Sequence, residues 1–369
     1  MNNMLYHSAT PEATQATYVE YNNIDFVLNV GEGRSLMRNS VRINGEINIT
    51  YDGTNNSTGN VYLDFRIGAH GVIDSCQTVF GSSGIKENIQ NYARWVEMAA
   101  VGTLYEDDYL NASNQVELRA PNEQSAGILA QGEITRGTTP VTTDMDFSIK
   151  PVCILNKMNG DNLPFEKSGE IRLTINLARA MSALMGRNQG TASNYSLKNL
   201  HCSYHSVPTQ GLWSSTKTSM RSVYNVKSTI LSGSANISAQ VPAICDAVSC
   251  SFQRQNRENT NVFNNYQLET VENINRVQFL FNDSTNKYVS YVMNDQNEML
   301  HRYIDSFKNT GHNQVNGDCF RNNSGFGIGL DFKGFVDLSR QRFSIQLDSD
   351  VNNTKPMNMY SYFHSVISV

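Results

Sequence analysis

The sequence predicts an all-β protein made of two similar antiparallel sandwiches in tandem. Three observations lead there. First, only 17% of the 369 residues are charged, Pro occurs 8 times, and Asn supplies about one residue in eight. Such a chain is short of the Glu, Lys, Arg and Ala that sustain surface helices and well supplied with Asn/Ser/Gly turns between strands. Second, short runs of alternating apolar residues recur along most of its length. Third, two strand sequences are written twice in the same order. Thr174-Ile175-Asn176-Leu177 and Ser344-Ile345-Gln346-Leu347 match type for type, 170 residues apart. "SYHSV", ending at Val207, and "YFHSV", ending at Val366, match 159 residues apart. The shorter offset is explained by one local insert after Leu177, the Ala/Met/Leu-rich "ARAMSALMGRNQG".

In the first half, "NIDFVLNVG" from Asn23 reads as a strand ended by Gly31. "SVRINGEINITYDG" alternates Val41, Ile43, Ile47 and Ile49 around Asn44-Gly45, a hairpin-turn signal. "NVYLDFRIG" places Val61, Leu63, Phe65 and Ile67 on one face. The period then changes: Ile85, Ile89, Tyr92, Val96 and Ala99 recur at three- and four-residue steps, which predicts a helix beginning after Gly84, with Glu87 near its positive end. Residues 102–144 are polar and too long for a routine connection, so they read as an exposed excursion. Strands resume with "MDFSIKPVCIL", "GEIRLTINLA" and "YSLKNLHCSYHSV".

The second half repeats that order. "VYNVKSTILSG", "ANISAQV", "AVSCSFQR", "RVQFLFN" and "KYVSYVM" are short strands. Asp295 and Glu298 form a capping box before Met299, Leu300, Tyr303, Ile304 and Phe307, predicting a helix that Gly311 ends. "GFGIGLDFKGFVDL", "RFSIQLDS" and "MYSYFHSVISV" close the chain. About eight strands and one helix per half fit a jelly-roll sandwich made twice. The domain expectation is a polar N-terminal arm at 1–22, a first jelly roll at 23–210 containing the excursion 102–144, and a second at 211–369. The joint "PTQGLWSSTKTSMRS", Pro208 to Ser222, lies between them.

Composition narrows the function. Net charge is −5 and no basic stripe is visible, so no direct nucleic-acid contact is expected. No apolar run is long enough to span a bilayer, and the opening residues lack the basic and apolar regions of a signal peptide. Six cysteines without CxxC spacing read as free buried thiols of a reducing compartment. His201, Cys202 and His205 cluster as "HCSYH", but on a strand the two histidines would stand roughly 13 Å apart, too far to share an ion. "GEGRS" at Gly31 has no Walker lysine. In "SGFGIGLDF", Phe326, Ile328 and Leu330 alternate with Gly327, Gly329 and Asp331, the pattern of a strand whose second face lies against another backbone. Asp107-Asp108 and the pair Asp348 and Asp350 could hold Ca²⁺ between subunits, although solvated turns are the simpler reading. No Ser-His-Asp arrangement or nucleophile elbow occurs. No catalytic, cofactor-binding or metal residue is assigned, no cofactor is expected, and the chain does not read as an enzyme.

From about Asn23 onward the chain resembles the double jelly-roll major capsid proteins of tailless icosahedral viruses, the tectivirus, corticovirus and adenovirus-like lineage. The pieces that carry the likeness are "FSIKPVCILNKMNGDNLPFEKSGEIRLTINLA" in the first half, with "FGIGLDFKGFVDLSRQRFSIQLDSDV" and "PMNMYSYFHSVISV" in the second. Pro164 and Asp337 fall at the turns between paired strands, and the excursion 102–144 falls where the family carries outward tower loops. The chain length is similar to that of the smaller, phage-like members. The resemblance implies a structural shell protein located in the virion and made in the host cytoplasm. Its partners would be itself, as a homotrimer and then through trimer-trimer contacts, together with penton and minor capsid proteins and an internal membrane beneath the shell. The arm has no Lys or Arg before Arg34, so membrane contact there could not rest on anionic lipid. The alternative function is a carbohydrate- or receptor-binding β-sandwich of fibre or lectin type, using some of its 17 Tyr and 16 Phe for stacking.

Overall fold

A computed structural model describes residues 3–51, 62–99, 115–120, 141–156, 162–185, 194–209, 219–231, 234–258, 274–282, 291–310, 327–349 and 356–368. The strands of the first half are β1 (Leu5–Ala9), β2 (Asn23–Leu28), β3 (Arg34–Leu36), β4 (Arg42–Tyr51), β5 (Tyr62–Leu63), β6 (Ile73–Phe80), β7 (Gly84–Gln90), β8 (Val141–Ile149), β9 (Leu163–Pro164), β10 (Ile171–Leu177), β11 (Leu184–Met185) and β12 (Asn194–Pro208). Those of the second half are β13 (Ser219–Ile230), β14 (Ala235–Ala239), β15 (Ile244–Arg254), β16 (Ile274–Phe281), β17 (Tyr291–Met293), β18 (Ile328–Asp337), β19 (Phe343–Ser349) and β20 (Met357–Ser368). Among the described residues four α-helices punctuate them: α1 (Tyr92–Ala99), α2 (Phe165–Ser168), α3 (Ala180–Ala183) and α4 (Gln296–Ser306).

The strands form one sheet ordered β8-β4-β12-β3-β9, with β1 on the other edge of β12, and one ordered β14-β19-β16-β17. Between them runs an eight-stranded sheet, β18-β15-β20-β13-β7-β6-β10-β2. In each half, let the principal strands be counted one to eight in chain order, leaving out the short β3, β5, β9 and β11. Both halves then give the same pair of sheets, 1-8-3-6 facing 2-7-4-5. That is a jelly roll made twice. The repeated "TINL" and "SIQL" strands, β10 and β19, are each the seventh, and the "HSV" strands, β12 and β20, are each the eighth. Both long helices follow the fifth strand, α1 after β7 and α4 after β17. Pro164 and Asp337 both precede a short helical turn before the seventh strand, and the Asp337 carboxylate accepts a hydrogen bond from Ser339 N at 3.1 Å.

Each roll closes on its own apolar layer. Phe26, Ile47, Ile49, Leu173 and Ile175 meet in the first, and Phe252, Phe279, Phe343, Ile345 and Phe363 in the second. The Phe343 ring packs with its centroid 6.0 Å from Phe279 and 5.2 Å from Phe281, the latter edge-on.

Four local expectations are corrected. Asn44-Gly45 does not turn the chain, because β4 runs straight through it with Ile43, Gly45, Ile47 and Ile49 on the inward face. Gly45 is there because a Cβ would lie 2.7 Å from Leu200 Cδ2 and 2.9 Å from Lys198 O, where β12 bulges between Lys198 and His201. The strand expected up to Ile67 stops at Leu63. There Asp64 caps Arg66 N at 2.9 Å, and Gly68 (φ +56°) turns so close to the backbone of Glu117 that only glycine fits. The helix expected from Ile85 begins only at Tyr92. Residues 84–90 are instead strand β7, with Glu87 and Ile89 facing in and Ile85 out, and Asn91 (φ +53°) makes the change of period. A four-residue spacing is common to a strand face and a helix stripe, so sequence alone did not separate them; in β7 the register shift opposite Thr78 and Val79 then leaves Ile85 outside. Finally, α4 stops at Ser306, five residues before Gly311, which itself lies outside the described residues. So does most of the excursion 102–144. The polar stretch 1–22 contains β1, paired along all five residues with Ala9 opposite Cys202 and Leu5 opposite Ser206.

Candidate functional site: the joint between the two rolls

The feature without a simple packing explanation is the place where the rolls meet. They share a sheet: β7, the fifth strand of the first roll, lies parallel to β13, the first strand of the second, with Asn88 opposite Tyr224. Two such edges give few ladder bonds, so side chains complete the seam. The buried Glu87 carboxylate accepts from Val223 N at 2.9 Å and from Ile154 N at 2.5 Å. Asn225 Oδ1 accepts from Gln90 N at 2.9 Å, and Ser222 Oγ donates to Lys86 O at 3.1 Å. Charge-assisted acceptance of two backbone donors is what a buried carboxylate requires.

Behind this seam sits α1, buried along all eight residues. Trp95 is its centre. Its indole donates to Val152 O at 3.1 Å, and its ring lies 5.2 Å from Tyr362, 5.6 Å from His364 and 6.4 Å from Phe307, all from the second half. Tyr362 OH donates to Asn91 O at 3.1 Å, while His364 is fixed by Ser249 at 2.8 Å. The Arg94 guanidinium lies 4.3 Å over the Tyr360 ring and donates to Gln253. Lys227 pairs with Glu258 at 2.9 Å and stands 5.2 Å from the centroid of the same Tyr360 ring. A half-open cleft of about 100 Å³ remains there, lined by Asp74, Asn91 and Arg94 from the first roll and Lys227, Gln253 and Glu258 from the second.

Tyr92 and Glu97, on either side of Trp95 in α1, belong to a buried polar cluster. Arg66 pairs with Glu97 at 2.8 Å, yet burial pushes the Glu97 carboxyl up to about 7 against that cation. His70 bonds Tyr92 OH at 2.9 Å, and burial lowers its pKa below that of a free imidazole. Burial opposes ionisation of Glu117 too, but there the bond from His70, the Arg119 guanidinium at 3.1 Å and Lys150 N at 3.1 Å hold the carboxylate well below the usual range.

The residues weighed in the sequence lie elsewhere. Cys202 is buried in β12, His201 contacts Asn199 O at 3.2 Å, and His205 meets the Tyr6 ring edge-on at 5.6 Å. Among the described residues no group of three or more His, Cys, Asp or Glu could hold a metal ion. At the "GEGRS" turn, Gly33 N is occupied by Glu166 Oε1 at 2.9 Å. Asp348 pairs with Arg276 at 2.7 Å, whereas Asp107, Asp108 and Asp350 are outside the described residues. A Cβ on Gly327 would lie 1.7 Å from Cys250 O, and one on Gly329 3.0 Å from Tyr303 Cα, so these glycines admit neighbouring backbone. Of the joint residues, Tyr362 and His364 lie in the repeated "YFHSV", whereas Glu87 and Trp95 carry no spacing motif and signal themselves only as a carboxylate and a Trp beside an apolar stripe.

No family model matches the chain, and no curated protein is similar to it by sequence. Solved structures are similar in fold. The Faustovirus major capsid protein has a TM-score of 0.60 at 8% identity, over 100% of this chain and 90% of its own. The quasi-atomic model of the PBCV-1 virus capsid gives 0.59 at 9% identity, over 100% and 95%. The mavirus major capsid protein gives 0.55 at 8% identity, over 99% and 90%. The shared feature is the fold over the whole chain, two jelly rolls in tandem.

Proposed function

We infer that this chain is the major capsid protein of an icosahedral virus, a shell block with no catalytic step. The observation that carries the reading is the duplication itself: two rolls of identical strand order, joined edge to edge through β7 and β13, give each chain two similar sides. Three chains would then make a ring of six rolls with a near-hexagonal outline, a shape that tiles a closed surface. The fold likeness to the Faustovirus and mavirus major capsid proteins supports this over the full length. A sugar-binding sandwich has no use for a second matched roll with its own helix. On this reading the domain division falls between 209 and 219, the first roll begins at β1, and the protein resides in the virion beside copies of itself, with penton and minor capsid proteins completing the shell. No described helix is long and apolar enough to cross a membrane. Light scattering and electron microscopy of the purified chain test the reading. Particles of three chains that assemble further support it, and a stable monomer that binds glycans overturns it.

A further inference from the structure

We propose that β1 is an acid-released strap: it lies along β12 while His7 is uncharged, and protonation of His7 frees the chain as far as the anchor at Pro11. The inference concerns two strands of one chain and does not rest on the shell-block reading.

The hydrogen bonds around His7 fix its charge state. Arg34 Nε can only donate, and it donates to the Ser206 hydroxyl at 2.7 Å. His7 Nε2 stands 2.7 Å from the same oxygen. Ser206 is fully buried, so its own proton needs an acceptor, and the neutral imidazole supplies one. A charged ring cannot accept. Its Nε2–H would compete with Arg34 for one oxygen and turn the hydroxyl proton away from its partner, inside a buried site. The same guanidinium also holds the strap at Asn3 O, 2.7 Å away, so what repels a charged His7 is part of what fastens β1.

The neighbours offer a charged ring little in return. His7 lies opposite Tyr204 in the ladder and stacks on its ring at 5.0 Å. That face attracts a cation, whereas Arg34, bonded to the same hydroxyl, repels it. The Tyr204 hydroxyl is committed to Asn29, donating to O at 3.1 Å and accepting from N at 3.0 Å. The other titratable group from β12 is His205, edge-on to Tyr6, and β3 brings Arg34. β2 carries Asp25, but its carboxylate accepts from Thr174 and lies 3.8 Å from Arg172, which also pairs with Glu12 at 2.9 Å. Burial, Arg34 and His205, in that order, hold the His7 pKa below that of a free imidazole. A released strap therefore takes up a proton more readily than a docked one. Docking is at full strength above about pH 6.5 and weakens as pH falls below that value.

The strap can leave without the body of the roll. Leu5, Tyr6 and Ser8 are exposed and Ala9 is only partly buried, so β1 is held mainly by its ladder and by the His7 site. Just beyond it the chain is fastened. Pro11 bridges Phe26, Glu12 N donates to Asp25 O at 2.9 Å, and the buried Tyr18 donates from N to Leu197 O at 2.8 Å. A segment with few buried contacts next to a firm anchor opens locally, well before the fold does.

Hydrogen exchange of the purified chain, read by mass spectrometry and corrected for the intrinsic pH dependence, tests this. Between about pH 7.5 and about pH 5.5 the protection of β1 amides is expected to fall several-fold, with that of β10 unchanged. In His7→Gln, whose amide oxygen still accepts from Ser206 but does not titrate, β1 should be equally protected at both pH values. His205→Gln should keep the acid response. Protection of β1 that ignores pH in the wild type overturns the proposal, and so does a fall that persists in His7→Gln. A proton NMR titration decides it without any variant: His7 should titrate below a free imidazole, and a midpoint at or above that value refutes the strap.

Discussion

Removing the Trp95 side chain tests whether the two rolls, joined through one sheet, unfold as one cooperative body. Trp95, from the first half, is fully buried and touches three rings from the second. A buried Trp removes about 150–250 Å² from water, worth about 4–6 kcal/mol at 25 cal/mol/Å². Measured Trp→Ala losses of about 3–5 kcal/mol agree with that range. Trp95→Ala also leaves Val152 O without its indole donor, a cost of about 1 kcal/mol. The expected loss is therefore about 4 kcal/mol, a large part of the total stability of a domain. Urea unfolding followed by circular dichroism measures it. The chain has only two Trp, so in a Trp213→Phe background fluorescence reports on Trp95 alone. One transition should be seen by both probes, moved to lower urea by Trp95→Ala. The reasoning fails if Trp95→Ala costs under about 1 kcal/mol. It fails equally if the fluorescence change precedes a separate second unfolding step.

Three further outcomes follow from single sites. Gly327→Ala should destabilise by at least about 3 kcal/mol, since its Cβ would meet Cys250 O at 1.7 Å, whereas Gly334→Ala, with open space around it, should be neutral in the same melting assay. The buried Glu97 carboxyl has its pKa raised to about 7, so the fold favours its protonated form; that contribution is complete below about pH 4.5 and is lost as pH rises through 7. A shift of this size corresponds to about 3 kcal/mol, and the difference in urea midpoint between wild type and Glu97→Gln should change by that order from pH 5 to pH 8; a constant difference would refute it. Burial raises the thiol pKa of Cys202, Cys245 and Cys250, the latter two to about 12, so a thiol reagent at pH 8 should leave them unmodified until denaturant is added.

What the sequence disclosed and what it hid have physical reasons. The seventh and eighth strands were legible because their side chains answer to both faces of a sandwich, which fixes type as well as period. The cap on α4 was legible because Asp295 acts locally, its carboxylate accepting from Asn297 N at 2.6 Å. β1 was hidden because its five residues are mostly solvent-facing and show no apolar alternation. The joint was hidden for a related reason. Glu87 is acidic yet buried, and its carboxylate accepts from backbone donors of residues 154 and 223. No local spacing encodes that, because the residue answers to the meeting of two rolls and not to its own strand.

The same contrast explains why the joint is built as it is. A long ladder between β7 and β13 would fix the rolls by backbone alone, and any edge of similar length could replace either partner. Here the ladder is a single pair, and recognition passes to Glu87, Asn225 and the Trp95 cluster. These polar groups are satisfied only in one alignment, and leaving a buried carboxylate without its donors is costly. Specificity therefore comes from the penalty on wrong partners more than from the strength of the right one. On the shell-block reading proposed above, that property would let the chain select one strand edge each time two copies meet.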